Sequence, residues 1–335
     1  MDKLWIFLLP GVFVAGLKIE ASALCPVSGA PVVVFNTERA ASDSLMIVFW
    51  NLENFFDYKD DGLSDSDKEF SEKGQRRWSK KRFFTKCRAV SKALSMIDSR
   101  KLPDIVGVAE VENEYVVRSI INASFLQKFG YRAIHFESPD PRGIDCAMLY
   151  RKSVFSSVKA FPARIKSDRP TRDILVARCV TAAGDSLLVF VNHHPSKYGG
   201  GASDSRRAAA VLRLCELSDS LSDIGWKRQV AIGDFNDVPS SGIYDTLRRN
   251  LTCLSSPMQA RGEGSIRFNG TWELIDQAWV SPPLAPRART AVARIPALLT
   301  RDSAHAGEKP LRTYSGPRYL GGVSDHLPIV IYICL

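Results

Sequence analysis

The sequence is poor in soft metal ligands. It has five histidines, and its seven cysteines include no C-x-x-C pair. That spacing excludes a zinc ribbon and a dithiol redox centre. Cys87 and Cys215 fall in helical runs and Cys146, Cys179 and Cys334 in strand-like ones, so buried small hydrophobes are expected. No period of 20 to 50 residues repeats, which excludes a solenoid or a propeller. No apolar run reaches the about 20 residues that a membrane span needs. The longest, Leu4 to Leu17, follows "MDK", is broken by Pro10 and Gly11, and precedes the small residues "ASA" at 21–23. This pattern predicts a cleaved export signal over 1–23, a short segment over 24–43 and one domain over 44–335. The product would be secreted or periplasmic and monomeric, with no stable membrane insertion. An uncleaved anchor is the alternative, and Leu24 is too large for the site that lipidation of Cys25 would require.

What the chain has is a globular composition with 45% hydrophobic and 24% charged residues, and a formal charge of +9. The signal carries Asp2 and Glu20 against Lys3 and Lys18, so the mature chain stays basic. Such a surface draws polyanions, although it is equally that of a merely soluble protein. Strand-like runs recur at 45–51, 104–110, 144–151, 173–180, 186–193, 229–234, 273–280 and 327–333. Amphipathic helices lie between them. One places Phe83, Cys87, Val90, Leu94 and Ile97 on one face. "TAAGDS" reads as a hairpin, whereas other strands connect through helices. The fold predicted is an α/β sandwich of two sheets in one domain. The acidic stretch 57–74 and the region 281–322 read as long surface loops. "DYKDDG" resembles a calcium loop only superficially, because the twelve-residue ligand pattern is absent.

Polar residues gather at strand ends. Asn51 ends "MIVFW", Glu110 ends "DIVGVA", His193 ends "LLVFVN", Asp234 ends "VAIG", and Asp325 and His326 precede "LPIVIYI". Asp276 lies inside "LIDQAWV", where an unpaired carboxylate is costly. Any one of these could cap a turn, and "GDFNDVP" taken alone serves as one. Six together point to a common neighbourhood, because strands of a sheet bring their ends to one edge. Glu110 and Asp325, with the Asn51 amide oxygen, are hard ligands suited to Mg²⁺ or Mn²⁺. His193 and His326 can stabilise or protonate charged oxygens, and Asp276 can fix a histidine tautomer. Asp234 can take a proton from water while Asn236 holds a neighbouring oxygen. These are the parts for hydrolysing a phosphate ester.

The ordered set "FWNLEN", "VAEVEN", "RGIDCAMLYR", "VNHHPS", "GDFND", "LIDQ" and "SDHLP" resembles the endonuclease/exonuclease/phosphatase superfamily over about residues 44–334. The resemblance implies a four-layer sandwich, two mixed β-sheets packed face to face and flanked by helices, with the active site at one edge. It also implies that Glu110 is the principal metal ligand, with Asn51 and Asp325 beside it. His193 would contact phosphate, Asp234 activate water, Asn236 position the scissile group, and Asp276 pair with His326.

Glu53 could add a metal oxygen or face solvent, and His194, next to His193 in an extended strand, would point away from the site. Arg142 and Asp145 either bind phosphate or form a turn and a salt bridge. Arg172, Lys309, Arg312, Tyr314 and Arg318 fall in candidate cleft loops, where basic residues and tyrosine suit phosphate contact and base stacking. The chemistry leaves three substrates. A nuclease acting on DNA or RNA is favoured by charge and export. An inositol-phosphate phosphatase is disfavoured, since that branch carries Trp-Cys-Asp-Arg where this chain has "LIDQAWV". A sphingomyelinase-like phospholipase C acting on lipid headgroups would need an exposed apolar hairpin, and the sequence shows no clear one. A non-enzymatic binding module would be expected to have lost Glu110 or Asp234.

Overall fold

The computed structural model describes residues 44–62, 64–197 and 201–335. The signal and segment expected over 1–43, Cys25 included, lie outside the described residues. The chain builds its first sheet with β1 (Leu45–Phe55), β2 (Ile105–Val111), β3 (Tyr131–His135) and β4 (Asp145–Arg151). It then builds a second sheet with β5 (Phe155–Ala163), β6 (Ile174–Thr181), β7 (Ser186–His193), β8 (Gln229–Asp234) and β9 (Thr252–Cys253). A short hairpin, β10 (Ile266–Phe268) and β11 (Thr271–Glu273), precedes β12 (Asp276–Val280), which joins the second sheet. The chain returns to the first sheet with β13 (Ala288–Val292). Two small ribbons follow, β14 (Leu299–Arg301) with β15 (Glu308–Pro310) and β16 (Tyr314–Ser315) with β17 (Arg318–Tyr319), before β18 (Ile329–Ile333). The six-stranded orders are β13-β18-β1-β2-β4-β3 and β5-β6-β7-β8-β12-β9.

Both sheets are mixed. Each has one parallel pair at its centre, β1 with β2 and β7 with β8. Parallel neighbours need a crossover, and helices supply it: α1 (Asp65–Glu69) and α2 (Lys80–Ile97) after β1, and α4 (Gly201–Asp223) after β7. Two further helices are α3 (Glu114–Asn122) and α5 (Ser256–Ala260). Alternation along β7 accounts for the layers. Leu187, Val189 and Val191 join the core shared with the first sheet, while Leu188 and Phe190 pack with Val211, Leu214 and Cys215 of α4. Covered on both faces, such a strand reads as one unbroken apolar run. The six cysteines among the described residues are all free, four of them buried.

Three sequence-based expectations change. The 281–322 region is not simply loop, because β13 pairs with β18 from Ala288↔Ile333 to Val292↔Ile329 and closes the sheet edge. Its Pro and Arg content masked five extended residues that have only one neighbour strand. The 57–74 stretch contains α1, capped by Ser64, and it buries Asp57 and Asp67. Ile97 is half-buried rather than core, since α2 ends there.

The strands that carry the site run very close together. A Cβ on Gly233 would lie 2.3 Å from the Asn192 backbone oxygen. Gly233→Ala should therefore lose about 1–3 kcal/mol, the usual cost of overpacking a tight core, measured as a lowered urea midpoint at unchanged slope.

Candidate active site

Strand register does the first part of the assembly. His193 stands opposite Asp234 across the parallel pair, and Asp276 stands opposite Asp234 on the other side. Three chemical side chains thus occupy one row across β7, β8 and β12. The first sheet contributes Asn51 and Glu110 at the far ends of β1 and β2, where the pairing becomes irregular between Asn51 and Phe55.

Asp234 is the hub. Its Oδ1 accepts the Asn236 backbone N–H at 2.9 Å, and its Oδ2 accepts the Asn51 amide at 3.1 Å. The same Oδ2 lies 3.7 Å from His193 Nε2 and 3.9 Å from His326 Nε2. Burial, followed by the nearby Asp276, pushes the Asp234 carboxyl up to about 7 against the opposing pull of His326. His326 Nδ1 is bound to Asp276 Oδ2 at 2.7 Å. Burial alone would depress this imidazole, but Asp276, Asp234 and Asp325 more than offset it and hold it well above its ordinary value. His326 is thus a charged donor beside an acceptor, and Asp276 fixes its ring.

His193 has the opposite character. Burial, then the positive charges of Arg172 and Arg142, hold it well below the ordinary histidine value, so it is neutral. Its Nε2 lies 3.8 Å from Glu110 Oε1, and its Nδ1 is buried with no hydrogen-bond partner. His194 points to the other face and packs on Phe235 at 4.6 Å between ring centres. Asn236 adopts φ +51°, and its amide donates to the His194 carbonyl at 2.9 Å, which leaves one amide hydrogen for a ligand.

The residues expected to hold metal keep acceptor capacity that their neighbours do not occupy. Glu110 spends Oε2 on the Asn54 N–H at 2.8 Å and keeps Oε1 without a donor. Asp325 spends Oδ2 on Arg312 at 3.0 Å, and the Asn51 amide oxygen accepts the Glu53 N–H at 2.9 Å with a lone pair to spare. Three hard oxygens with unspent capacity suit a divalent cation.

Other residues take places the sequence did not foresee. Glu53 neither faces solvent nor keeps a free oxygen. It is buried, with Oε1 on Arg312 Nε at 3.0 Å and Oε2 on the Thr313 N–H at 2.6 Å. Arg312 bridges Glu53 and Asp325, so it braces the site's acids before it touches any substrate. Tyr314 is in the core rather than on a stacking surface. Its hydroxyl donates to the Arg76 carbonyl at 3.0 Å, and its ring meets Phe70 edge-on at 6.0 Å. Arg172 is likewise buried, held by Asp140 at 2.8 Å and by the His194 carbonyl at 2.6 Å, because an internal guanidinium needs a carboxylate beside it, while its Nε has no hydrogen-bond partner. Through the His194 carbonyl it braces the chain just beyond β7. Arg142 is exposed in a turn with Asp140, and Asp145 pairs with His135 at 2.9 Å. Sequence reading missed Lys86, a fully buried lysine on α2 whose Nζ donates to the Glu53 carbonyl and to Thr313 Oγ1, each at 2.9 Å. The signal was available, since a lysine stands beside Cys87 on an otherwise apolar helix face.

A profile of the Endonuclease/Exonuclease/phosphatase family matches residues 46–334, nearly all the described chain. The chain belongs to that family. Its members hydrolyse phosphoesters, in general with a divalent metal. The fold is similar to that of the mannosyl-6-phosphatase Bt3783 of Bacteroides thetaiotaomicron, at 17% identity over 87% of this chain and 100% of that one, with a TM-score of 0.55. It is similar to truncated Caenorhabditis elegans TDP2, at 15% identity over 87% and 97% of the two chains and a TM-score of 0.55. It is also similar to the human Nocturnin catalytic domain with bound sulfate, at 18% identity over 87% and 93% and a TM-score of 0.54. No curated protein sequence matches the chain.

His194 yields a stability prediction. Burial, then Arg172 and Arg207, push it down to about 3, far below its value in the unfolded chain. A depressed histidine contributes its full stability above the unfolded value near 6.5 and loses it as pH falls below that point. His194→Leu should therefore recover about 2 kcal/mol of the stability that the wild type loses between about pH 7.5 and 5, at about 1.4 kcal/mol per pH unit. Urea midpoints at the two pH values provide the measurement.

Proposed function

We propose that the chain is an exported, divalent-metal-dependent nuclease that hydrolyses phosphodiester bonds of DNA or RNA. The observation that carries the phosphoesterase reading is the Asp234 carboxylate within 4 Å of both a neutral and a charged histidine, beside acids with unspent oxygens. The nuclease reading rests on the formal charge of +9 and on a cleft of about 430 Å³ beside Asn236. Ser196, Lys197, Ile266, Phe268, Glu273 and Ile275 line that cleft, which sets one cation, paired with Asp237, and one acid beside apolar surface. Export rests on the sequence of residues 1–23 alone.

In this reading Asp234 takes the proton of the attacking water, and its position near 7 suits a base at neutral pH. The His326 Nε2–H meets charge developing on the phosphoryl group, with Asp276 fixing the ring. His193 and the free Asn236 amide hydrogen orient the phosphate oxygens. Mg²⁺ or Mn²⁺ held by Glu110, Asn51 and Asp325 would add Lewis-acid polarisation of the phosphate.

Asp234→Asn and His326→Ala should each lower kcat about 10²-fold or more, the range for removing an acid–base group, and Glu110→Gln should abolish turnover at limiting Mg²⁺. Asp237→Asn should spare turnover but reduce stability, because that side chain ties the turn to Lys197 at 3.0 Å and to Ser241 at 3.1 Å. Plasmid nicking, RNA cleavage, lipid headgroup release and free-phosphate release, each with and without EDTA, decide among substrates. Headgroup or free-phosphate release without nicking or RNA cleavage refutes the nuclease.

A further inference from the structure

Residues 73–97 carry nine lysines and arginines and no acid. Some of these cations build the fold. Arg76 pairs with Glu69 at 2.6 Å, lies 5.4 Å over the Tyr314 ring and donates to the Gly316 carbonyl. Arg82 lies 4.2 Å over the Tyr319 ring and donates to the Arg76 and Arg77 carbonyls at 3.1 and 2.8 Å. Together they fasten the β16–β17 ribbon to the start of α2. Arg318 of that ribbon, opposite Ser315 in register, therefore shares a corner with Arg77 and Lys81. Arg312, which braces the site's acids, stands only three residues before Ser315, a span of at most about 11 Å.

Other cations of this corner are left over. Lys73, Arg77, Lys81 and Arg318 are exposed, and among the described residues their side chains have no hydrogen-bond or ion-pair partner. Their placement works against folding. Arg77 adopts φ +47°, a left-handed conformation that glycine or asparagine takes at less cost. Lys80 and Lys81 open α2, whose first turn holds no acid although the helix dipole favours one there. Like charges so crowded also repel one another. Local choices that conflict with the fold mark sites where a side chain serves something else.

We infer that Lys73, Arg77, Lys81 and Arg318 form an exosite for the sugar-phosphate backbone of a nucleic acid, gripping phosphates to one side of the bond that is cut. This exosite rests on the nuclease reading and extends it beyond the catalytic edge. A polyanion brings the opposite charge that the corner lacks, and it relieves the repulsion and the unfavourable helix start together. An anionic membrane would supply charge as well, but surfaces that bind one turn apolar side chains outward. Here Phe70, Trp78 and Tyr314 are buried, and of the corner's large apolar side chains only Leu320 is exposed.

The experiment follows fluorescence anisotropy of labelled DNA and RNA strands of about 20 nucleotides, single and paired, with the full-length protein in EDTA over about 50–200 mM NaCl. Replacing Arg77, Lys81 and Arg318 together by Gln should lower the slope of log affinity against log salt by about three, roughly one per lost phosphate contact, and weaken all sequences alike. Arg77→Gly is the second variant. It keeps the backbone bonds to Gly74 and Arg82 and relaxes the backbone, so a slope lowered by about one at undiminished Tm is an effect on binding. A wild-type slope retained by the triple variant overturns the exosite, and it leaves the nuclease reading standing where plasmid nicking or RNA cleavage persists. A lowered slope in a protein that cuts neither DNA nor RNA in Mg²⁺ supports the exosite and refutes the nuclease. Wild-type binding to phosphatidylserine vesicles but not to DNA or RNA overturns the exosite in favour of a membrane, and binding to none of them overturns it outright.

Discussion

The 2.7 Å hydrogen bond between His326 and Asp276 joins the two sheets at the edge that carries the candidate site. His326 enters from the strand β18 side and Asp276 from β12, so neither sheet holds the pair alone. The Asn51 amide makes a second crossing to Asp234 at 3.1 Å. Around these links the last turn before β18 is stitched down, with Ser324 Oγ donating to the Asn51 carbonyl at 2.6 Å and Trp50 Nε1 to the His326 carbonyl at 2.9 Å. Buried polar links of this kind are directional, so making them fixes the relative slide of the sheets, although Asp276 Oδ1 is left without a partner.

A second network stands behind the first and explains why so many acids can sit together. Burial pushes the Lys86 ammonium down to about 8, while Glu53, Asp325 and Glu110 pull the other way. Burial likewise raises Glu53, and the Asp325 charge raises it further against Lys86 and Arg312. Each group is awkward alone. Together they place two cations among three carboxylates and hold the Arg312 to Asp325 segment against the end of β1. The aromatic packing of Tyr314 on Phe70, Trp78 and Tyr319 anchors the same segment from outside.

Much of the site was legible because of where the parallel strands end. Asn51 and Glu110 close one helix-linked parallel pair, and His193 and Asp234 close the other. A strand covered on both faces is a plain apolar run, so a polar residue at its end stands out in the sequence. Edge strands gave no such signal. β5 reads "FSSVKAFPA" and β13 "ARTAV", with half-exposed positions that interrupt the pattern, so β5 stands outside the strand-like runs and β13 falls within the region read as loop. Loop arginines and tyrosines were the least readable, because Arg172 and Tyr314 are buried by partners more than 30 residues away in sequence. Composition can announce a basic aromatic loop, but only tertiary contacts decide which way each side chain turns. The exposed Phe268 on the β10–β11 hairpin was missed for the same reason, since one aromatic residue in a short ribbon carries no periodicity.

Backbone strain marks the same edge independently of charge. Among the described residues, six that are not glycine have positive φ: Glu53, Asn54, Arg77, Glu110, Asn236 and Asn269. Four of them lie at the strand ends that build the site. Glutamate gains nothing from the left-handed region, and such a conformation costs on the order of 1–3 kcal/mol unless its surroundings enforce it. At Glu110 the enforcement is visible, since its Oε2 receives the N–H of Asn54, itself at φ +43°, and the two irregular strand ends hold each other. A glycine at position 110 would relax the backbone but remove the carboxylate, whereas a glycine at position 54 would keep the backbone N–H that donates to it. The strain is therefore tied to the side chain, and the turn that aims Glu110 persists because the neighbouring strand end is bent to meet it.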